Sequence, residues 1–167
     1  IIINPPYVKG QFISKKESFF ETFKDDFGLS LRQNSNLYCY FIIALTTLLN
    51  PGGRSAILVP IELFNANFGE DIKNYLINKN YLKSVVFIDN KCNVFENAVT
   101  TSAVLFLEAP VDDSPYEITI HNVKNLTQLK DLSKTYTIKK KPEELLKIKK
   151  WSSLKENTKI VSDENSI

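Results

Sequence analysis

The stretch Ile1-Ile2-Ile3-Asn4-Pro5-Pro6-Tyr7 opens the chain and decides how the rest is interpreted. Three consecutive branched apolar residues are typical of a buried strand, and the proline-rich segment that follows predicts a turn. In an open α/β sheet, the turns at the carboxyl ends of the strands hold the ligand and the chemistry. We therefore expect Asn4, Pro5, Pro6 and Tyr7 to form a site.

These four residues suit a flat ring that carries an exocyclic amine. Such an amine is a poor nucleophile because its lone pair is delocalised into the ring. The Asn4 side-chain oxygen and the Pro5 carbonyl would accept both amine hydrogens and turn the lone pair toward an electrophile. Prolines have no backbone N–H, so the turn presents acceptors. Tyr7 would stack on the ring, a contact worth roughly 1–3 kcal/mol for a nucleobase.

Strand-like and helix-like segments alternate along the first part of the chain, which predicts a wound and largely parallel α/β sheet. The loop from Asp89 to Val99 is too short for a parallel crossover, which needs about a dozen residues or more. The last two strands should therefore form an antiparallel hairpin. We assign no chemistry to Pro51-Gly52-Gly53, which predicts a helix stop. The predicted strands are Ile1–Ile3, Ser55–Val59, Leu82–Ile88 and Thr101–Leu107, and the helices are Lys16–Phe27, Leu37–Leu49 and Asn67–Lys79.

With its Asn4-Pro5-Pro6-Tyr7 motif, the chain resembles the adenine-N6 DNA methyltransferases of restriction-modification systems, whose signature is Asn-Pro-Pro-Tyr. The resemblance covers about the first 110 residues. It implies an α/β fold, a partial Rossmann-like methyltransferase sheet that is mostly parallel with a final antiparallel hairpin strand. Further segments follow in the family's order, namely Asn36-Leu37-Tyr38, Phe41, Leu49 to Arg54, Ile57 to Pro60, Val94-Phe95 and Thr100 to Leu107.

The resemblance also implies roles for particular residues. Asn4, Pro5, Pro6 and Tyr7 would be catalytic, and Tyr7 and Phe95 would contact the base. Asn4 and Phe41 would contact the cofactor, S-adenosyl-L-methionine. Phe95 and Phe41 could equally be ordinary core residues. Asp89, at a predicted strand end, could face the cleft or begin a turn.

The family's domain organisation gives expectations for the two parts of the chain. Residues 1–110 would be the C-terminal half of the catalytic domain, and residues 111–167 a linker or the start of a target-recognition region. No glycine-rich cofactor motif precedes Asn4, so we expect a fragment that lacks the cofactor half and is inactive in isolation. The expected partners are double-stranded DNA with a flipped adenine and a restriction or specificity subunit or domain.

Charge is unevenly distributed along the chain. Residues 1–121 hold 10 Lys and Arg against 13 Asp and Glu, a net of −3, whereas residues 122–167 hold 11 against 6, a net of +5. The excess is concentrated near Trp151, and such a basic segment can attract phosphates. An amphipathic helix from Pro142 to Lys150 with a solvated face explains it equally well. The lysines concerned are Lys139, Lys140, Lys141, Lys147, Lys149 and Lys150.

Composition narrows the possible function classes. The two cysteines match no metal-site spacing, and a single histidine does not build a zinc or nucleophile-base site by itself. Unpaired cysteines are typical of a reducing cytoplasm. The most apolar run, Leu37 to Leu49, is shorter than the roughly 20 residues that cross a bilayer, so we expect no membrane partner.

Other functions remain open at this point. Methyltransferases acting on RNA bases or on a protein glutamine also use Asn-Pro-Pro-Tyr, although Val59-Pro60-Ile61-Glu62 differs from the Glu-Gly pair typical of the glutamine enzymes. A non-catalytic DNA-recognition or interaction fragment is a further alternative. An Asn-Pro-x-Tyr ligand for phosphotyrosine-binding domains would need an exposed, flexible segment, whereas we expect Ile1–Ile3 to be buried.

Overall fold

The computed structural model describes residues 1–14, 16–89, 92 and 101–156, with the backbone alone for residues 16, 18–20 and 22. These residues form one six-stranded sheet and its flanking helices. The strands are β1 (Ile2–Ile3), β2 (Arg54–Pro60), β3 (Leu82–Ile88), β4 (Ser102–Glu108), β5 (Ile118–Val123) and β6 (Tyr136–Lys140). The helices are α1 (Lys16–Phe27), α2 (Leu37–Thr47), α3 (Phe68–Asn78), α4 (Leu126–Lys130), α5 (Pro142–Leu146) and α6 (Ser153–Glu156).

The sheet has the order β1-β2-β4-β3-β5-β6. Strands β1, β2, β3 and β5 point the same way, because β1 pairs in parallel with β2, β3 pairs in parallel with β5, and β4 is antiparallel to both β2 and β3. The predicted fold class and the antiparallel pairing of β3 with β4 are confirmed.

The sheet continues beyond the strand that the sequence analysis placed last. Strand β5 pairs with β3, and β6 pairs antiparallel with β5. Residues on both sides of position 110 therefore contribute to one sheet. The assignment of residues 111–167 to a linker or to the start of a recognition region stays a prediction.

One face of the sheet packs on helices α2 and α3 and forms the main core. In β4 the alternate residues Ala103, Leu105 and Leu107 are buried, as expected for a strand with one covered face. Ile42 of α2 and Ile72 of α3 belong to the same hydrophobic cluster. Helix α2, which precedes Pro51, is thus held against the strands that follow Pro51 by apolar packing.

The expectation that Ile1–Ile3 is buried is wrong for Ile1 and Ile2, whereas Ile3 is half-buried against the main core. Ile1 and Ile2 are 54% and 91% exposed, because β1 is the outermost strand and pairs on one side only within the described part of the chain. The segment is nevertheless ordered by backbone contacts. The Ala56 N–H donates to the Ile1 carbonyl at 2.9 Å, so the segment is not the flexible one that an Asn-Pro-x-Tyr ligand requires.

The segment after α5 is fixed to the core through Trp151. This side chain is fully buried and stacks on Phe64 with ring centroids 5.4 Å apart. The Lys73 ammonium, itself buried, donates to the carbonyls of Phe64 (3.2 Å) and Lys149 (2.5 Å). The predicted helix from Pro142 to Lys150 is therefore too long, because the chain leaves α5 after Leu146 to make these contacts.

Replacing Trp151 by alanine should destabilise the protein strongly. Trp→Ala in a packed core leaves a large cavity and costs about 3–5 kcal/mol in the free energy of unfolding. Urea denaturation followed by circular dichroism measures this loss. Leu48→Ala, at a side chain that is 70% exposed, is the control and should change the free energy by less than about 0.5 kcal/mol. A Trp151→Ala loss no larger than the control's would show that the segment is not docked.

The buried Lys73 should make stability depend on pH. Burial lowers the pKa of Lys73 to about 8, whereas an unfolded lysine titrates near 10.4. Between these values the unfolded chain binds a proton that the folded chain does not, so stability gains a contribution as pH rises. The free energy of unfolding of the wild type, minus that of Lys73→Met, should therefore increase from pH 7 to pH 10. A difference that stays constant would contradict the buried ammonium.

Candidate functional site

The Asn4-Pro5-Pro6-Tyr7 turn lies at the carboxyl edge of the sheet. The register pairs Ile3 with Ile57, so the chain leaves β1 beside Leu58 of β2. Pro5 is buried, whereas Asn4 and Pro6 are exposed. The buried proline anchors the turn, and the Asn4 carboxamide is accessible from solvent.

The Tyr7 hydroxyl orients the Asn4 side chain. It donates to Asn4 Oδ1 at 2.6 Å and lies 3.1 Å from the Leu58 carbonyl oxygen. A carboxamide oxygen has two lone pairs, so Asn4 Oδ1 can accept one more hydrogen bond. The Pro5 carbonyl accepts none from the residues that the structure describes. The turn therefore offers two acceptors, one of them held by a neighbouring phenol.

The Tyr7 ring is 45% exposed and rests against a second tyrosine. Its centroid lies 6.0 Å from that of Tyr38, with the two rings nearly perpendicular at 85°. Burial raises the pKa of Tyr7, so its hydroxyl is a neutral donor at physiological pH. Part of the ring surface remains available for contact with a ligand.

Backbone contacts attach the chain after Tyr7 to the start of α2. The Leu37 N–H donates to the Val8 carbonyl at 2.9 Å, and the Gly10 N–H donates to Asn36 Oδ1 at 3.0 Å. Gly10 has no room for a side chain, because a Cβ there would collide with the Ser35 carbonyl. The Asn36 side chain and the Leu37 N–H thus fix the path of the chain after Tyr7.

The structure separates the other predicted site residues. Phe41 is 39% exposed although its neighbours Tyr40 and Ile42 are buried, so the alternative that it is a core residue is wrong. Its contact with the cofactor stays a prediction. Phe95 lies outside the described residues. Asp89 is half-buried at the end of β3, where its N–H donates to the Val123 carbonyl at 2.9 Å.

Two parts of the site were missed by sequence reasoning. Tyr38 was recognised as part of the Asn36-Leu37-Tyr38 segment, but no role was assigned to it, although its ring contacts the Tyr7 ring. The Leu58 carbonyl was not considered, because its position depends on the pairing of β1 with β2. Asn4 and Tyr7 are close enough in sequence to make contact within one turn, and their hydrogen bond could have been predicted from this spacing.

The described residues outside the Asn4-Pro5-Pro6-Tyr7 turn form no second reactive centre. Burial raises the pKa of the Cys39 thiol to about 12, so it carries no thiolate at neutral pH. Among the described residues, no group of His, Cys, Asp and Glu side chains could hold a metal ion. Within the same ranges, no helix is long and apolar enough to span a bilayer.

A restriction endonuclease and a methyltransferase subunit are among the solved structures that share this fold. The type IIG restriction endonuclease BpuSI superposes with a TM-score of 0.64 at 18% identity, over 86% of this chain and 19% of BpuSI. The methyltransferase subunit of a type I restriction-modification system from Streptococcus thermophilus gives a TM-score of 0.64 at 14% identity, over 87% of this chain and 35% of the subunit. The fold is therefore a methyltransferase fold.

Sequence comparison identifies the family. Residues 1–95 match the Eco57I restriction-modification methylase family, and the chain belongs to that family. It is also 31% identical over 134 residues to the type II methyltransferase M.AccI of Acinetobacter calcoaceticus. The chain spans about a quarter of the length of that relative, 24%, while the alignment covers 80% of this chain.

Replacing Tyr38 by phenylalanine should not destabilise the protein. The Tyr38 hydroxyl is buried and makes no hydrogen bond of good geometry with the described residues, although the Asn36 side chain is close enough to interact with it electrostatically. A buried unsatisfied polar group costs about 1–3 kcal/mol, while phenylalanine keeps the ring that contacts Tyr7. The free energy of unfolding, measured in urea, should stay constant or rise by up to about 1 kcal/mol. Tyr38→Leu, which removes the ring, should lower it. A loss on Tyr38→Phe comparable with that of Tyr38→Leu would show that the hydroxyl is bonded.

Proposed function

We propose that the protein to which this chain belongs transfers a methyl group from S-adenosyl-L-methionine to the N6 amine of adenine in double-stranded DNA. Membership of a restriction-modification methylase family identifies a methyltransferase. The observation that carries the finer proposal is the exposed Asn4 carboxamide, whose oxygen is held by the Tyr7 hydroxyl at 2.6 Å. This arrangement fits an exocyclic amine better than it fits a hydroxyl or a thiol, because two acceptors meet two N–H donors.

The residues of the turn would activate the amine by orientation. Asn4 Oδ1 and the Pro5 carbonyl would each accept one N–H of the amine. The nitrogen lone pair would then point out of the plane of the base, where it is available for bond formation. Holding reacting groups in one geometry removes several kcal/mol from a barrier. The Tyr7–Asn4 hydrogen bond would contribute by fixing the carboxamide before the base arrives.

Two residues of this chain fit the cofactor. Phe41 offers an exposed aromatic ring on a helix whose neighbouring residues are buried, which suits contact with a flat adenine ring. Asn4 is exposed at the adjoining strand end. S-adenosyl-L-methionine would supply the electrophilic methyl group when bound. The remaining steps would be carried by the turn itself.

The base would have to leave the duplex to reach the turn. Flipping costs a few kcal/mol in lost stacking and pairing. The half-exposed Tyr7 ring would repay part of this cost by stacking, and Phe95 remains a proposed second contact. The Asn4 and Pro5 oxygens belong to the same short turn as Tyr7, so stacking and hydrogen bonding would act on the same base.

No general base is required by this mechanism. Methylation makes the nitrogen cationic, and the proton then leaves readily to solvent. The raised pKa of Tyr7 keeps its phenol protonated, so it remains a donor to Asn4 and offers no phenolate as a base. Catalysis would therefore rest on positioning, with Asn4 and Pro5 as the groups that touch the reacting nitrogen.

The proposal extends to partners and location. We infer that the complete protein acts with a restriction or specificity subunit or domain, in the cytoplasm. The buried free thiols of Cys39 and Cys92 are compatible with a reducing compartment. Methylation assays on duplex DNA, RNA and a glutamine-containing peptide distinguish the proposed substrate from the two alternatives, because each substrate is scored by transfer of the same labelled methyl group.

Replacing Asn4 by alanine in the full-length protein should reduce methyl transfer to a small fraction of the wild-type rate. The variant loses the side-chain acceptor, and removing one preorganised polar group of this kind lowers kcat on the order of 10²–10³-fold. Transfer of tritiated methyl groups to duplex DNA measures the effect. Asn78→Ala, at an exposed position of α3, is the matched control and should keep wild-type turnover. An Asn4→Ala variant that is folded and fully active would refute the proposed role.

A further inference from the structure

The lysines that follow residue 122 lie at opposite edges of the sheet. Lys140 ends β6 and pairs with Ile118, the first residue of β5, so it lies at the amino edge of the parallel strands. Lys149 and Lys150 instead precede Trp151, whose N–H donates to the Phe64 carbonyl at 3.2 Å. Phe64 follows the carboxyl end of β2. The structure thus places Lys149 and Lys150, in contrast to Lys140, at the edge that carries Asn4.

Ion pairs partly neutralise the two lysines of β6, whereas Lys149 and Lys150 make no ion pair within the described ranges. Lys139 lies 3.9 Å from Glu117, and Lys140 lies 3.5 Å from Glu144. Lys149 and Lys150 form no salt bridge with any residue in the described ranges, and both are exposed. The charge of Lys149 and Lys150 is therefore uncompensated within the described ranges, and it lies at the same edge of the sheet as the candidate site.

The backbone that carries these two lysines is held in place. The Lys149 carbonyl accepts from the Lys73 ammonium at 2.5 Å, and the Lys150 carbonyl accepts from Ser153 Oγ at 2.8 Å. The Ser152 N–H donates to Asn65 Oδ1 at 3.0 Å. A fixed backbone lowers the entropy that is lost when long side chains are ordered on a ligand.

The two lysines line a cleft of about 260 Å³ with groups that suit an anion. Asn65 Oδ1 accepts from the Ser152 N–H at 3.0 Å, which leaves the Asn65 NH2 group to donate to a ligand. Asn67 also lines the cleft and makes no side-chain cap to α3. The remaining polar residues of the cleft are Arg32 and Glu70, which pair with each other at 2.9 Å, and Arg32 also pairs with Asp71 at 3.3 Å. The three cations and two amide side chains thus outnumber the two carboxylates.

We propose that this Lys149–Lys150 cleft binds the phosphodiester backbone of the DNA duplex next to the flipped base. The inference rests on the proposed function for the identity of the polyanion. Lysine ammonium groups and side-chain amides are common partners of phosphate oxygens, and such contacts fix the position of the duplex without reading its sequence. The cleft and the Asn4 turn lie at the same edge of the sheet, so one duplex would meet both.

The test is the salt dependence of DNA binding by the full-length protein. Fluorescence anisotropy would follow a labelled duplex between about 50 and 200 mM salt. Lys149→Gln/Lys150→Gln should weaken target and non-target DNA by the same factor and lower the slope of log K against log salt by about 1 per lysine. Lys149→Arg/Lys150→Arg keeps both charges and should retain the slope.

A matched control lies at the opposite edge. Lys79→Gln/Lys139→Gln removes the same charge from exposed positions and should leave the slope unchanged. An unchanged slope in Lys149→Gln/Lys150→Gln, or an equal decrease of the slope in the control, would refute the binding of DNA at the cleft. The proposed function is tested separately by the methylation assay. If DNA binding depends on these lysines but no adenine is methylated, the role of the cleft is supported and adenine as the substrate is refuted.

Discussion

The parallel pairing of β1 with β2 is the constraint on which the candidate site depends. With Ile3 opposite Ile57, the chain leaves the sheet beside Leu58, and the Leu58 carbonyl lies 3.1 Å from the Tyr7 hydroxyl. A slip of one residue would turn alternate side chains to the other face of the sheet and would remove that carbonyl from Tyr7. The short strand therefore does more than close the sheet. It sets the position from which Tyr7 holds Asn4.

Elements with a strong local signal could be predicted from the sequence. Helix α1 and strand β3 have the predicted bounds, and the antiparallel pairing of β4 followed from the length of one loop. The pairing of β5 with β3 could not be predicted, because partner choice depends on contacts far apart in sequence. The exposure of Ile2 was missed for a related reason, since an apolar run is similar in an edge strand and in a central one.

The site shows the same division between local and distant information. Asn4 and Tyr7 were identified from a motif, because a turn after a strand carries its chemistry within a few residues. Their roles nevertheless differ from the simplest expectation. Tyr7 was expected to act through its ring alone, yet its hydroxyl also commits one lone pair of Asn4 Oδ1. The edge contact with Tyr38 needed the packing of α2 against the turn, which no spacing rule supplies.

The last residues of β2 and the turn that follows them connect the Asn4-Pro5-Pro6-Tyr7 turn to the basic residues near Trp151. At one end, Leu58 contacts Tyr7, and at the other end Phe64 stacks on Trp151 and accepts from Lys73. The chain between them is a strand end and a tight 3₁₀ turn, Ile61–Phe64, of which Leu63 and Phe64 are buried. Packed interiors resist small displacements, so the distance between the turn and the Lys149–Lys150 cleft is set by the core. A ligand bound at both places would therefore be held in one orientation without a separate closing motion.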